Sequence, residues 1–474
     1  MIICIPGPPV FACLACLPLA MPSWQIYTEL AITIIIRERL RYNERINVKR
    51  QVEQMIELAY GRGHLQLQLD ENNLDAVLEP VHNHSTGGGK EVVEESLAHP
   101  IDSPVLEDII TRKKARNAVI VVNDITRPTP YELILPPLLK QINDGGITDE
   151  NITLVIATGI HRAHTAEDNL AVFGAEICKR YRIENHDCDN NLKSLGYLSN
   201  GMELIINRTV AEADLLVTTG VVGLHYFAGY SGGRKSILPG VAARAAIEAN
   251  HKMMNDPRAC LGNYEDNPVS QLMLEAARRV GVDFIVNVVL YSHHEIAFCA
   301  SGDMETAWLE AVQFAEGMSV LRIDEPADIV VASCGGYPKD INMYQAQKAM
   351  DAAVLAVKPG GTIILAAECS EGLGEDKFAE WIDAASCPQD ITVRFHRQFE
   401  LGGHKAFAIC RILDRADILL LSGLSDQQVR RLFLQPVHSL DEALIWAFER
   451  HGRQARVIVM PEAPKIAVKI NKHE

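Results

Sequence analysis

Three features of the 474-residue chain predict an α/β protein of two α/β domains with mainly parallel sheets. Short apolar runs, NAVIVVND (117–124), ITLVIATG (152–159) and DLLVTTG (214–220), each end in Asp or Gly and lead into a polar loop. Strands buried on both faces of a parallel sheet read this way. A second series, DIVVASCGG (328–336), GTIILAAEC (361–369), ADILLLSG (416–423) and ARVIVMPEA (455–463), alternates with helical stretches such as YQAQKAMDAAVLAV and SLDEALIWAFERHG. The Glu325-Pro326 step divides the two series and puts a boundary within 318–326. The expected units are an N-terminal extension, 1–55, outside the fold; a first α/β domain, 56–322; and a second, 323–474.

Taken in order, MIICIPGPPVFACLACLPLAMPSW is apolar but broken by five prolines and has no basic start, so it resembles neither an ordinary signal peptide nor a spanning helix. HLQLQLD alternates and predicts an edge hairpin after Tyr60-Gly61. HNHSTGGGKEV reads as a loop. After the first strand series, 272–280 reads as a helix, DFIVNVVL (283–290) as a strand, and AWLEAVQFAEG as a helix ending at Gly317. Ligands of parallel sheets bind beyond the carboxyl ends of the strands, so the loops after the first three runs are expected to share one crevice.

The formal net charge of −16 disfavours nucleic acid and anionic membrane as partners. An anionic substrate would then need its own Lys or Arg. Eight cysteines are scattered singly between 178 and 410, which reads as free thiols in a reducing, cytoplasmic setting. Cys13 and Cys16 form a lone C-x-x-C with no second pair.

Polar residues gather at strand ends. Asp124 and Arg127 sit in NDITRPTP, where Pro128 and Pro130 stiffen the exit. His161 follows the terminal glycine of the second run in GIHRAHT. The third run leads into His225 and then GYSGGRKS, with Arg234 and Lys235 beside three glycines. That combination suits an anion close to the backbone. It is not a Walker A loop, because Arg234 stands where G-x-x-x-x-G-K-[ST] requires glycine. A phosphate- or nucleotide-binding transferase using an atypical loop stays open at this point. His251 lies on a predicted helix sixteen residues after Lys235. Tyr344, Gln345 and Lys348 follow Gly335-Gly336 at helical spacing, where phenol, amide and ammonium can hold a carboxylate or phosphate.

Together, DITRP, GIHRAHT, HYFAGYSGGRK, His251 and GGYPKDINMYQAQK resemble the nickel-pincer lactate racemase family, in the family's order and near its spacing, over roughly residues 56–463. The resemblance implies an active-site cleft between the two domains and an isomerase that racemises or epimerises a 2-hydroxy acid by hydride transfer through a 2-oxo acid. It implies a nickel-pincer nucleotide, a pyridinium mononucleotide bearing thioacid groups, attached to Lys235 and loaded by cofactor-synthesis proteins. His251 matches the protein ligand of nickel, His161 and His225 the paired catalytic histidines, and Asp124 and Arg127 the acidic and basic pair of the site. Arg127, Tyr344, Gln345 and Lys348 match substrate-side residues. One departure concerns Leu401–Ala406: His404 and Lys405 stand where lactate-specific members carry a Gln-Trp pair, which points to a larger or more polar substrate such as a dicarboxylic 2-hydroxy acid or a sugar acid.

Overall fold

The computed structural model describes residues 53–81, 89–291 and 294–471. Residues 1–52, including Cys13 and Cys16, and most of the HNHSTGGG segment lie outside them. The eight later cysteines are free, five of them buried. No helix among the described residues is long and apolar enough to cross a membrane.

The described residues open with the hairpin expected from the alternating pattern, β1 (Glu53–Tyr60) and β2 (Gly63–Asp70), then β3 (Leu74–Val77). The first sheet uses β4 (Ala118–Asn123), β5 (Ile152–Ala157) and β6 (Arg182–Asn185). A small hairpin of β7 (Leu192–Tyr197) and β8 (Glu203–Asn207) precedes β9 (Leu215–Val221). The two-residue strands β10 (Leu224–His225) and β11 (Gly229–Tyr230) come next, then β12 (Phe284–Leu290) and β13 (Ile296–Gly302). β14 (Val320–Ile323) leads to β15 (Ala327–Ser333), β16 (Val357–Ala366), β17 (Ala416–Leu421), β18 (Gln435–Val437), β19 (Val457–Met460) and β20 (Ala467–Ile470).

Two six-stranded sheets result. The first has the order β13-β12-β9-β4-β5-β6 and is parallel except for the β12/β13 pair. The second, β18-β17-β16-β15-β19-β3, is parallel throughout. β4 lies between β5 and β9, so the chain leaves it in one direction and returns on its other side. Crevices open at such switch points, beyond the strand ends, and the loops carrying Asp124, His161 and His225 end there.

Three details depart from the sequence reading. β3 pairs with β19, and Ile56, Leu58, Leu67 and Leu69 pack against Ile329, Ile364 and Val459, so residues 53–77 belong with the second sheet's layer. Gly89 to Val92 is not loop but the first turn of a helix, Gly89–Ala98. The helix Thr306–Ser319 runs two residues past Gly317. Both sheets lie within one compact unit, Met55–Glu474.

Candidate active site

Asp124 follows β4 directly and is 4% exposed. Its Oδ1 accepts hydrogen bonds from the Thr126 backbone N–H (3.2 Å) and hydroxyl (2.6 Å), which closes the turn. Its Oδ2 lies 2.6 Å from His161 Nδ1. Burial alone would raise the Asp124 carboxyl, but the bonds from His161 and Thr126 and the charge of Arg127 hold it below the ordinary carboxylate range. An ionised carboxylate at Nδ1 requires the proton there, which leaves Nε2 of His161 with its lone pair. His161 is 45% exposed at the side chain, so that lone pair is accessible. The loop is anchored by Gly159 N–H donating to Gly240 O (3.0 Å), which joins it to the end of the glycine-rich segment.

That segment is held from within. Ser231 Oγ donates to Val221 O (2.8 Å), Ser236 Oγ to Thr219 O (3.1 Å), and Trp308 Nε1 to Ser231 O (3.0 Å). Asn287 Oδ1 accepts from Gly233 N (2.8 Å), and Asn267 Nδ2 donates to Phe227 O (2.8 Å). Gly232 and Gly233 have φ of 74° and 50°, and a Cβ at either would press on Asn287 or Trp308 within 2.6 Å. These glycines are therefore required by packing against the protein's own core.

Arg234 corrects a sequence expectation. Its guanidinium does not join Lys235 beside an anion. It is fully buried, stacked 3.8 Å above Trp308, and donates to Ala228 O (3.0 Å), Tyr230 O (3.3 Å) and Ser270 Oγ (2.7 Å). Burial lowers it to about 9, which leaves it cationic at neutral pH. With Arg234 and both glycines turned inward, the atypical phosphate loop loses its cradle.

Lys235 behaves differently. Its Nζ makes no hydrogen bond or ion pair among the described residues and lies 5.7 Å from the Phe227 ring centroid. Burial, then Arg234, then Arg127 push it well below the usual lysine range. The lowering by Arg234 agrees with the expectation from sequence.

Phe227, which sequence reasoning passed over, is the hub. Its ring lies 4.7 Å from His225, 4.7 Å from Tyr226 and 5.0 Å from His251 by centroid. His225 stacks on Tyr226 (5.2 Å, 20°), and its Nδ1 accepts from Ala228 N (3.2 Å). Its neutral form thus carries the proton on Nε2, the opposite tautomer from His161. Burial first, then the charges of Lys235, Arg127, His251 and Lys405, hold His225 well below the ordinary histidine range. His251 lies on the helix Arg244–Lys252, 9% exposed, and its Nδ1 is buried without a well-formed hydrogen bond. Burial and the charge of Lys235 lower it to about 3. A buried, neutral imidazole with an unused nitrogen is the form in which histidine ligates a metal.

The second sheet supplies the facing groups. Tyr344, Gln345 and Lys348 lie on the helix Met343–Ala356 after β15, and Lys348 Nζ donates to Gln345 Oε1 (2.6 Å). Burial and then Arg127 lower Lys348, so that helix reaches the field of the first sheet's loop. The helix Gly403–Leu413 brings His404, stacked on Tyr226 at 6.5 Å, and Lys405, with Nζ 4.1 Å from the Tyr226 centroid. Lys405 donates to Gln347 Oε1 (2.7 Å), and Gln347 Nε2 donates to Asp351 (2.8 Å). Burial lowers Lys405 to about 7 and raises Asp351 to about 6, each opposed by the other's charge.

Seven of the nine sequence-selected residues thus lie in one electrostatic neighbourhood, while Gln345 joins it through its bond to Lys348 and Tyr344 through the Lys405 ammonium 5.6 Å from its ring. Missed were Phe227, Tyr226, Asn267 and Asn287. Asn287 did leave a signal: a polar residue inside the apolar run FIVNVVL must find a partner when buried.

Residues 60–262 match the family model of the lactate racemase N-terminal domain, and residues 323–468 that of the lactate racemase C-terminal domain. The chain is 35% identical over 425 residues to a lactate racemase of Thermoanaerobacterium thermosaccharolyticum, covering 87% of this chain and 99% of the relative. It is 36% identical over 428 residues to a lactate racemase of Lactiplantibacillus plantarum, with the same coverages. The solved lactate racemase apoprotein of T. thermosaccharolyticum superposes with a TM-score of 0.81 at 34% identity, over 88% of this chain and all of that one. A Thermotoga maritima protein at 18% identity, covering 82% of this chain and all of its own, shares the fold with a TM-score of 0.57. The chain belongs to the lactate racemase family and is, as a racemase, an isomerase.

Proposed function

We propose that the chain inverts the configuration at C2 of a 2-hydroxy acid, with a nickel-pincer nucleotide held on Lys235. The observation that carries this reading is Lys235 itself: a half-buried amine of suppressed basicity, with no hydrogen-bond or ion-pair partner among the described residues, next to an aromatic ring that also touches two histidines. An amine must be deprotonated to form a covalent link, and the surroundings of Lys235 favour that form. The residues fit the group: Lys235 would tether it, and His251 would ligate nickel. When bound, the group supplies a hydride acceptor and donor.

The chain's own residues divide the remaining work. His161 Nε2, left with its lone pair by the carboxylate of Asp124 at Nδ1, takes the hydroxyl proton. His225 serves the return from the other side as an imidazolium acid: it takes up a second proton at Nδ1, releasing the Ala228 N–H, and gives up the one on Nε2. Loss of hydride from C2 gives a planar 2-oxo acid, which can be reduced on either face. Arg127, and Lys348 with Gln345 bonded to it, hold the carboxylate while the rest of the molecule reorients. In a chain of net charge −16, this gathering of cations around the site matches an anionic ligand.

Buried His404 and Lys405 beside Tyr226 support a substrate more polar than lactate. Asp351 and Gln347 already engage the ammonium of Lys405, so hydroxyl groups match this wall better than a second carboxylate does.

The test is to co-express the full chain with cofactor-synthesis proteins and nickel, weigh the Lys235 peptide, and screen single enantiomers of lactate, malate, 2-hydroxyglutarate and aldonic acids. The expected result is a cofactor adduct at Lys235 and inversion at C2, strongest for a hydroxylated acid. A loaded protein that inverts none of these acids would contradict the proposal.

A further inference from the structure

His164 lies three residues after His161 and takes no part in the chemistry proposed above, yet it joins three elements. Its Nε2 accepts the backbone N–H of Ile125 (2.8 Å), the peptide group immediately after Asp124. Its Nδ1 faces Asn169 Oδ1 (3.1 Å) on the helix Ala166–Arg180. Its own backbone is clamped by Asn185 at the end of β6, which accepts from His164 N (2.9 Å) and donates to His164 O (3.1 Å). The ring is 7% exposed and leans on Phe173 at 6.2 Å, and Phe173 in turn packs on Tyr131, whose hydroxyl receives the N–H of Asn123. The polypeptide on both sides of Asp124 is therefore held by groups reached through His164 and Phe173.

These bonds fix a tautomer. A backbone N–H can only donate, so His164 Nε2 must carry the lone pair and Nδ1 the proton, which the Asn169 carbonyl accepts. The loop after β4 and the loop after β5 then meet at two points: Asp124 with His161, and Ile125 N–H with His164. The first contact is made by side chains and, alone, leaves the two loops free to shift. The second ties backbone to a buried ring.

We infer that His164 is a positioning residue, whose bond to the Ile125 N–H keeps the Asp124–His161 pair in register. A displacement of about 1 Å at a reacting group costs on the order of 100-fold in rate. Leucine at 164 keeps the bulk and leaves the Ile125 N–H without an acceptor. Glutamine places Oε1 near the position of Nε2. The inference draws on the racemase reading only for its kinetic readout.

The experiment uses the full chain with isotope-labelled histidine and follows the far-downfield resonance of the His161 Nδ1 proton, assigned by its loss in His161→Gln. In His164→Leu the resonance shifts upfield or vanishes into exchange with water while the thermal midpoint stays near that of the unsubstituted chain, and His164→Gln restores it. In the cofactor-loaded enzyme, His164→Leu lowers kcat about 10- to 100-fold with KM little changed, and His164→Gln recovers most of the loss. Should His164→Leu fail to fold, Asn169→Leu decides: freeing the tautomer must weaken the same resonance. Absence of the resonance in the unsubstituted chain, an unchanged resonance in a folded His164→Leu or in Asn169→Leu, or a glutamine variant as impaired as the leucine one would overturn the inference. If the chain inverts no 2-hydroxy acid, the resonance results still stand on their own.

Discussion

Asp124 and His161 lie 37 positions apart in sequence and 2.6 Å apart in space because two parallel strands end side by side. Asp124→Asn keeps the shape but offers no full charge at Nδ1, so the His161 tautomer with its lone pair on Nε2 is no longer enforced. The expected loss in kcat is about 10²- to 10⁴-fold, with substrate affinity nearly unchanged, measured by steady-state kinetics on the loaded enzyme. The same pair contributes to stability with a definite sign. The Asp124 carboxyl is depressed in the folded chain, so its contribution is full above the unfolded value near 3.9 and is lost as pH falls through the folded value. The stability gap between the native chain and Asp124→Asn should therefore be constant above about pH 5 and shrink below about pH 4 in denaturant titrations. At this scale the sequence was informative about residue type and position after a strand, since both groups stand at strand-terminal loops. It was silent on Phe227, because an aromatic residue in an apolar segment looks the same whether it fills a core or stands among His225, Lys235 and His251.

Among the elements, the helix Gly403–Leu413 joins the two halves of the site. Its His404 and Lys405 reach Tyr226, and Arg411 donates to Met254 O just past the helix that bears His251. Removing the ammonium alone, in Lys405→Met, takes from Asp351 the largest of the charges that favour its ionised form, leaves Gln347 Oε1 without its donor, and should cost about 1–3 kcal/mol. The double variant Lys405→Met with Asp351→Asn should recover much of that, which paired urea titrations would show. Recovery is the informative outcome, because it separates lost charge interaction from lost packing. The glycine-rich segment teaches the converse lesson. Its letters suggested a phosphate cradle, yet Gly232 and Gly233 are packed against Asn287 and Trp308, and Arg234 is buried among carbonyls. Composition revealed that the backbone there is unusual. Only the tertiary neighbours decide which way its groups turn.

Across the whole molecule, the alternation of apolar runs and helices was enough to read two parallel-sheet layers. The fate of residues 53–77 was not legible, because a strand that pairs with β19, nearly 400 residues later, leaves no local sign of its partner. A fragment spanning 323–471 should consequently fold poorly by circular dichroism. It would expose the β19 edge and lose Ile56, Leu58, Leu67 and Leu69 from its core, each worth about 1.5–3 kcal/mol of apolar burial. The central claim, that the two layers bring together a site for hydride-mediated inversion of a 2-hydroxy acid, is tested most directly with a single enantiomer carrying deuterium at C2. The cofactor-loaded full chain is incubated with that acid in ordinary water, and the opposite enantiomer is isolated and weighed. Hydride transfer predicts that it forms with deuterium retained at C2. Formation of the opposite enantiomer with the label washed out to solvent would contradict the account, as would its failure to form at all.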